Sequence, residues 1–335
     1  MNWTRPAFGK RATLVAGVLA IWMHLDSAAQ DTLRSQHFFS IRIDDDFLNL
    51  AAQGTDRYYT GGDYFRYSFL AVAGKKTVLR KVLYAPFSNV ASLYSVGATQ
   101  WVYTPDILSA KIPVKGDYPY CGVLFLRFTR EMVSRDAKSL FRSGLSLGMM
   151  GPAALGKEAQ SAIHGWINTV RPAGWKYQLP DYPVVNYSLY YESNLFSISR
   201  RFKINATGSV EAGTLQTDAQ LGLDGLILDR NDNFFPGRGV RTGNLENRRP
   251  KFYIQLKPAV KFVGYNGILE GGLFDSRQFY HISPGQMSRV LFEGAGIMGM
   301  QLGDFSIQYR QAIEGAEFRT VEMHVYGGFL LQWKI

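Results

Sequence analysis

The 335-residue chain carries 37 Lys and Arg against 27 Asp and Glu, for a formal net charge of +10, and it has a single cysteine. One cysteine excludes an intramolecular disulfide and therefore a small disulfide-stapled secreted module. The basic balance is compatible with an anionic partner and equally with ordinary solubility. Nothing beyond charge supports nucleic-acid binding.

The N-terminal segment 1–29 has the pattern of a secretory signal peptide. Lys10 and Arg11 precede an apolar run at 12–23, and small residues follow at 27–29. A short apolar run between basic and small residues is typical of export signals, and a membrane-spanning helix needs about 20 apolar residues. We expect cleavage after the last residue of this segment, which leaves 30–335 as one exported domain.

The exported part of the chain is built from segments of roughly ten residues in which apolar and polar residues alternate. In 123–128, for example, Leu124, Leu126 and Phe128 form one wholly apolar face. Such alternation predicts strands, and aromatic residues at the segment ends are typical of transmembrane β-barrels. The predicted strands are His37–Phe47, Arg57–Leu70, Tyr94–Thr104, Tyr118–Arg130, Phe141–Met150, Val184–Ser193, Phe202–Glu211, Gln216–Leu228, Phe252–Val263, Arg289–Met300, Asp304–Ala312 and Thr320–Trp333.

These segments favour an all-β fold, a transmembrane antiparallel β-barrel of about 12 strands, over a soluble sandwich or propeller. No motif repeats with a period of 20–50 residues, which argues against a propeller. With both termini in the periplasm, the connections after odd strands are extracellular, and the longest, 152–183, contains a predicted short helix. The connections at 72–92 and 229–250 are longer than periplasmic turns usually are. The sequence thus predicts an integral protein of the bacterial outer membrane.

Three consecutive carboxylates end the first predicted strand, and a threonine lies near the start of the second. Alternation places Asp45 on the lipid-facing side of the wall, and Asp44 with Asp46 on the opposite side. The hairpin brings these acids and Thr60 together at the extracellular rim. Carboxylates with a neutral hydroxyl oxygen are donors that calcium prefers. A solvated strand end explains the same residues without a metal.

The stretch at 151–166 predicts the helix of the long extracellular connection. Ile163 and Trp166 lie on its apolar face, and Gln160 and His164, four residues apart, lie together on an adjoining face. A neutral imidazole is the usual general base near pH 7. A single helical histidine is more often structural, so both interpretations stay open from these residues alone.

The connection after the third strand brings basic side chains to the same rim. Lys111 and Lys115 are suited to bind a phosphate group, and a solvated loop is the alternative. The nucleophile elbow of a serine hydrolase is not expected.

Taken in order, these motifs resemble the lipid A 3′-O-deacylase family, the LpxR-type enzymes of the outer membrane. The resemblance implies a twelve-stranded barrel that hydrolyses the 3′-linked acyloxyacyl ester of lipid A with calcium (Ca2+) as cofactor. Its partners would be lipid A or lipopolysaccharide of the outer leaflet and membrane lipid, with no obligate protein partner. The residues that carry it are D-D-D at 44–46, T-D-R-Y-Y-T-G-G at 55–62, G-P-x-A-x-G-x-x-x-Q-x-x-x-H at 151–164 and G-W-x-x-Q at 174–178.

The resemblance also implies roles for single residues. His164 matches the catalytic histidine, Gln160 the glutamine one turn before it, and Asp45 the essential aspartate. Thr60 matches the threonine of a Tyr-Thr-Gly motif, and Asp44 stands at a position commonly held by Asn. The implied metal ligands are Asp44, Asp45 and Thr60, and His164 would act as general base.

Lys111 matches a lysine of the loop after the third strand and is expected to bind substrate. Two other functions stay open from the sequence. One is a non-enzymatic outer-membrane porin or ligand-binding barrel. The other is an outer-membrane phospholipase, which normally needs a serine beside its histidine.

Overall fold

The computed structural model describes residues 36–50, 58–71, 78–88, 90–112, 114–199, 201–229, 250–273 and 280–335. All of them belong to one unit, Gln36–Ile335. The predicted signal peptide at 1–29 lies outside the described residues.

Twelve antiparallel strands close into a barrel, in which every strand pairs with its neighbours in sequence and β1 also pairs with β12. The closing pair runs from Phe38 opposite Lys334 to Asp45 opposite Gly327. The fold class predicted from alternation is therefore confirmed. The strands are β1 (His37–Asp45), β2 (Tyr58–Ala71), β3 (Ser92–Thr104), β4 (Cys121–Val133), β5 (Ser139–Met150), β6 (Tyr182–Ser199), β7 (Phe202–Gly213), β8 (Gln216–Leu228), β9 (Lys251–Asn266), β10 (Val290–Leu302), β11 (Phe305–Glu314) and β12 (His324–Lys334).

The two faces of the wall differ in polarity. Phe65, Ala98 and Leu126 are register partners on adjacent strands, and they share the outer face, where Phe65 and Leu126 are exposed. The lumen is polar, as expected for an outer-membrane barrel whose outer face meets lipid. Its ion pairs include Arg127–Glu211, Arg142–Glu131, Lys257–Asp224 and Lys261–Glu293.

Short helices lie only in the connections of the described chain. None of the described helices is long and apolar enough to cross a bilayer. The helices are α1 (Val78–Val82), α2 (Gly156–Trp166) and α3 (Gly267–Glu270), and the 3-10 turns are Asp46–Leu48, Pro152–Ala154 and Trp175–Tyr177.

The barrel has two distinct ends. The terminal end holds the first described residues of the chain and its last residue, where Ile335 N donates a hydrogen bond to His37 O at 3.0 Å. The opposite end, here called the site end, holds the connections after the odd strands, including the long connection 151–181 with α2. The predicted helix in this connection is therefore present.

Two features of the terminal end differ from a set of plain turns. The connection after β2 contains α1, and Leu83 just after it is 1% exposed and packs with Tyr94.

Strand β6 runs to Ser199, six residues beyond the predicted Ser193. Its pairing with β7 is irregular around Asn194 and again before Ser199, and this irregularity hides the period-2 pattern in the sequence.

Candidate active site

Helix α2 lies against the outer wall of the barrel, on β3 and β4. Two glycines permit the contact, since a Cβ on Gly156 would lie 2.8 Å from Gly122 Cα, and a Cβ on Gly122 would lie 2.9 Å from Gly156 N. Any side chain at either position would push the helix away. The turn before the helix is also tied to β3, because Gln100 Nε2 donates to Ala154 O at 2.6 Å.

The face that α2 buries is its polar one. Gly156, Gln160 and His164, spaced four residues apart, are buried. Ile163 is 48% exposed and Trp166 is 87% exposed. This is the reverse of a helix on a soluble protein, whose apolar stripe faces the core. Such an arrangement is favourable where the surroundings are themselves apolar.

The ring of His164 is held by the turn that follows the helix. Its Nδ1 lies 2.5 Å from Val170 O, and the side chain is only 4% exposed. A carbonyl oxygen can only accept, so Nδ1 carries the proton of this hydrogen bond. In the neutral ring the lone pair is then on Nε2. The backbone therefore fixes the tautomer that a general base requires.

Gln160 is fixed by a partner from outside the helix. Its Oε1 accepts a hydrogen bond from Trp175 Nε1 at 2.8 Å. Because an indole N–H can only donate, this bond also settles which end of the amide is oxygen. Gln160 Nε2 is buried and makes no hydrogen bond to any described residue. A buried donor of this kind is suited to bind a ligand oxygen.

Trp175 is a residue that sequence reasoning did not assign to the site, although it stands in the G-W-x-x-Q motif. It is 2% exposed, and its ring packs against Tyr120 at a centroid distance of 5.0 Å. Its Cη2 would also lie 3.1 Å from a Cβ on Gly156. Trp175 thus contacts both the helix and the residue just before β4. The G-W-x-x-Q motif contains Trp175, but the motif alone does not show that Trp175 donates a hydrogen bond to Gln160.

Asp44 and Asp45 lie on opposite sides of the wall. Asp44 points into the lumen, is 2% exposed, and its Oδ1 accepts from Arg42 Nε at 2.8 Å. Asp45 faces outward beside Gly61, whose hypothetical Cβ would lie 3.7 Å from Asp45 Oδ2. Its Oδ1 accepts from Phe47 N at 2.8 Å and so caps the turn that begins at the next residue.

Thr60 is the extra residue of a β-bulge in β2, between Tyr59 and Gly61. Its Oγ1 lies 2.7 Å from Thr104 Oγ1, and both side chains are buried. Tyr58, two residues earlier, has a φ of 65°, a left-handed conformation that is uncommon for a bulky residue. Bulges beside functional sites redirect side chains. Neither the bulge nor the contact between Thr60 and Thr104 was predicted from the sequence.

A single row on the outer wall connects these groups. Asp45, Gly61, Val102 and Gly122 are successive register partners on β1 to β4. Three strand spacings separate the first from the last, about 14 Å. From the start of α2, which lies on Gly122, eight residues lead to His164, or about 12 Å of helix. The predicted catalytic residues therefore lie on one outer surface at the site end.

Lys111 is exposed in the connection after β3, also at the site end. This connection is joined to the segment after α2 through Leu108, whose carbonyl accepts from Ala173 N at 2.9 Å and from Tyr120 OH at 3.3 Å. The structure thus places Lys111 in a loop bound directly to the helical connection.

The oxygen donors fit a cation only in part. Within the described ranges, no group of three or more His, Cys, Asp or Glu is arranged to hold a metal. The Asp45 carboxylate and the Thr60 hydroxyl suit a hard cation. The Asp44 carboxylate does not fit beside them, because it lies on the lumen side of the wall, where it is bound to Arg42. Asp63, which sequence reasoning did not consider, is half-buried and also faces outward in β2.

The residues 144–148 read G-L-S-L-G and so match the letters of a serine-hydrolase motif. Ser146 is nevertheless in the middle of β5, facing the lumen, and accepts a hydrogen bond from Arg127 Nε at 2.9 Å. A nucleophile elbow requires a sharp strand-to-helix turn. This serine is therefore structural.

The sequence matches the family model described as "Outer membrane protein LpxR" over residues 14–335. The chain belongs to the LpxR family. LpxR from Salmonella typhimurium has the same fold, with a TM-score of 0.71 at 17% identity, covering 88% of this chain and 99% of that one. The resemblance read from the motifs is thereby confirmed.

Other comparisons are weaker. The beta domain of the Bordetella autotransporter Brka matches with a TM-score of 0.44 at 11% identity, covering 90% of this chain and 99% of that one. Acinetobacter baumannii OccAB4 matches with a TM-score of 0.22 at 11% identity, covering 91% and 99%. No curated protein matches the sequence. Membership of the LpxR family makes this an outer-membrane barrel, whose apolar outer wall meets lipid.

Proposed function

We propose that this LpxR-family protein is an outer-membrane lipid A deacylase that hydrolyses the 3′-linked acyloxyacyl ester, with His164 as general base and Ca2+ as cofactor. The observation that carries the proposal is the position of His164, which is buried on the same face of α2 as Gly156, the residue that contacts the outer wall. A substrate that reaches this ring travels along the membrane-facing surface. Acyl chains of an outer-leaflet lipid lie there, provided that the site end faces outward and the terminal end faces the periplasm.

The contents of the lumen support an enzyme rather than a porin. Tyr59 OH and Tyr64 OH lie 3.1 Å apart, and Trp101 Nε1 donates to Tyr64 OH at 2.9 Å. The guanidinium carbon of Arg42 lies 4.7 Å from the centre of the Tyr64 ring. These residues lie on β1, β2 and β3 and pack one side of the lumen. At the site end, Tyr58, Tyr118, Leu269 and Phe318, from β2 and from the connections after β3, β9 and β11, form one buried cluster over the mouth of the barrel. A porin of this size would need an open aqueous path there.

The residues of α2 supply the proton transfer. His164 Nε2 accepts a proton from water, whose oxygen attacks the ester carbonyl carbon. Collapse of the tetrahedral intermediate breaks the bond to the 3′ oxygen of the sugar, which then takes the proton back from His164. The hydrogen bond from Nδ1 to Val170 O holds the ring in register for both steps. Gln160 Nε2 donates to the attacking water or to the ester oxygen.

Asp45 and Thr60 are the proposed cation ligands. Calcium, when bound there, would supply positive charge that stabilises the negative charge developing on the ester oxygen. Asp44, predicted as a ligand from its place in the motif, is left out of this set because its carboxylate lies in the lumen with Arg42. Lys111 is proposed to bind a phosphate of lipid A by its charge.

The test uses purified full-length protein in detergent with lipid A, in calcium or in chelator, and the products are identified by mass spectrometry. We expect loss of one acyloxyacyl group in calcium, with His164→Ala at least about 100-fold slower, the usual contribution of a general base. His281→Ala, which changes another histidine at the site end, should keep the activity. Full activity of His164→Ala would contradict the proposed base. Phospholipid cleavage instead would indicate a phospholipase, and ion conductance without hydrolysis would indicate a porin.

A further inference from the structure

The segment after β2 is fixed to the outer wall at the terminal end. Tyr84 N donates to Tyr187 OH at 2.9 Å, and Ser143 Oγ donates to Tyr84 O at 2.8 Å. Tyr187 OH in turn donates to Val82 O at 3.1 Å. Strand register places Ser143 on the outer face of β5, in the same row as Arg130 of β4. Helix α1 and the residues after it therefore lie outside the barrel.

Beneath this segment is a buried cation. Arg130 is 9% exposed and faces outward; its Nε donates to Ser92 Oγ at 3.1 Å and its Nη1 to Leu83 O at 3.4 Å. Its guanidinium carbon lies 5.6 Å from the centre of the Tyr94 ring. All of these are neutral groups, and no carboxylate of the described chain pairs with Arg130. Burying a charge without a counter-charge is unfavourable.

A cleft opens beside this arginine. Its volume is about 410 Å³, and Arg80, Lys81 and Arg130 supply its charged lining, with no carboxylate among the lining residues. Arg80 and Lys81 are exposed at its edge. The remaining lining is largely apolar, including Tyr84, which is 59% exposed. The cleft thus combines a cationic centre with an apolar border.

The depth of the cleft in the membrane matches a lipid headgroup. Arg130 lies three residues before Val133, the last residue of β4. At about 3.3 Å per residue along a strand tilted by about 40°, it is roughly 8 Å from the end of the wall. The polar headgroup layer of a bilayer is roughly 5–8 Å thick on each side, so a group this close to the end of the wall is within reach of lipid phosphates. Arginine binds phosphate through paired N–H donors, which suits a site with a buried guanidinium.

We propose that this cleft binds the phosphate of an anionic phospholipid in the leaflet at the terminal end. Arg130 binds the phosphate from the wall, and Arg80 and Lys81 close over it from α1. The acyl chains then run along Tyr84 and the apolar outer wall. The site is on the opposite end of the barrel from His164 and takes no part in the hydrolysis.

The experiment measures lipid binding directly. Full-length protein is released from detergent in the mass spectrometer with phosphatidylglycerol or with phosphatidylcholine of the same acyl chains, and bound lipid is counted against concentration. We expect phosphatidylglycerol to bind the wild type more tightly. The double variant Arg80→Gln/Lys81→Gln should bind it about tenfold more weakly, since each basic group near an anionic lipid contributes severalfold. The variant Lys138→Gln, an exposed lysine at the same end, should change binding less than about twofold.

Arg130→Gln is the second variant and should weaken binding by a similar factor. If it fails to fold, the double variant at the exposed edge still decides the question. Equal binding of the two lipids, or an equal loss in Lys138→Gln, would overturn the proposal, because either result means non-specific attraction. A saturating effect of inorganic phosphate alone would overturn the lipid assignment. His164→Ala should bind phosphatidylglycerol normally, so failure of this proposal is separable from failure of the deacylase assignment.

Discussion

The contact between α2 and the wall can be tested by adding one methyl group. Gly156→Ala places a Cβ 2.8 Å from Gly122 Cα and 3.1 Å from Trp175 Cη2. Carbon atoms pack at about 3.5–4.0 Å, so α2 must move outward by roughly 0.7–1.2 Å. A catalytic group misplaced by about 1 Å can lose about 100-fold in rate. We therefore expect kcat to fall by between about 10-fold and 100-fold.

The same helix provides the matched control. Gly165→Ala makes the identical chemical change next to His164, but nothing lies within 4 Å of the added carbon. Alanine favours a helix over glycine by about 1 kcal/mol, so this variant should keep its activity and lose no stability.

The assay is the initial rate of lipid A deacylation in detergent, with the fold checked by the heat-dependent shift of the barrel in electrophoresis. A folded Gly156→Ala protein with the rate of the wild type would refute the reasoning. It would mean that close packing on Gly122 does not set the position of His164. Equal losses in Gly156→Ala and Gly165→Ala would also refute it, since the second change meets no atom.

Three further predictions follow from the site and its surroundings. Asp45→Asn should weaken calcium binding in titration calorimetry. Asp44→Asn should leave calcium binding unchanged and lower the free energy of unfolding by about 1–3 kcal/mol, because a charged hydrogen bond is lost; the reverse pattern would restore Asp44 as the ligand. Trp175→Phe leaves Gln160 Oε1 without its donor and should lower kcat about tenfold with little change in KM, so an unchanged kcat would contradict the role of this bond. Burial and the nearby Glu314 raise the pKa of Glu317 to about 7, so the folded state holds the proton more tightly and stability falls as pH rises from about 4.5 to 7. Glu317→Gln should remove this dependence of the unfolding midpoint, and an unchanged pH profile would refute the assignment.

The strands were predictable because a barrel wall imposes its alternation on every crossing. β8 was predicted with the bounds Gln216–Leu228 that the structure has. The same alternation placed Asp45 outside and Asp44 inside, and the structure agrees. What alternation could not provide was the irregular end of β6, where the register shifts twice.

The helix could be predicted, but its docking could not. The spacing of Gln160 and His164 put both on one face, as the structure has them. A helical wheel predicts that the apolar face meets the protein, but Ile163 and Trp166 are exposed and the polar face is the buried one. The hydrogen-bond partners of His164 and Gln160 could not be predicted from the sequence either. Val170 contributes a backbone carbonyl, and Trp175 lies fifteen residues from Gln160.

The proposed site for His164, on the outside of a barrel, determines which concentration would control the proposed reaction. Lipid A would reach it by lateral diffusion in one leaflet, so the rate would depend on the mole fraction of lipid A around the wall and not on its amount per volume of solution. Inert lipid added to the detergent micelles lowers the mole fraction of lipid A and should therefore slow the reaction in the way a competitive inhibitor does. The outer wall of the barrel would then be the surface along which lipid A diffuses to the site.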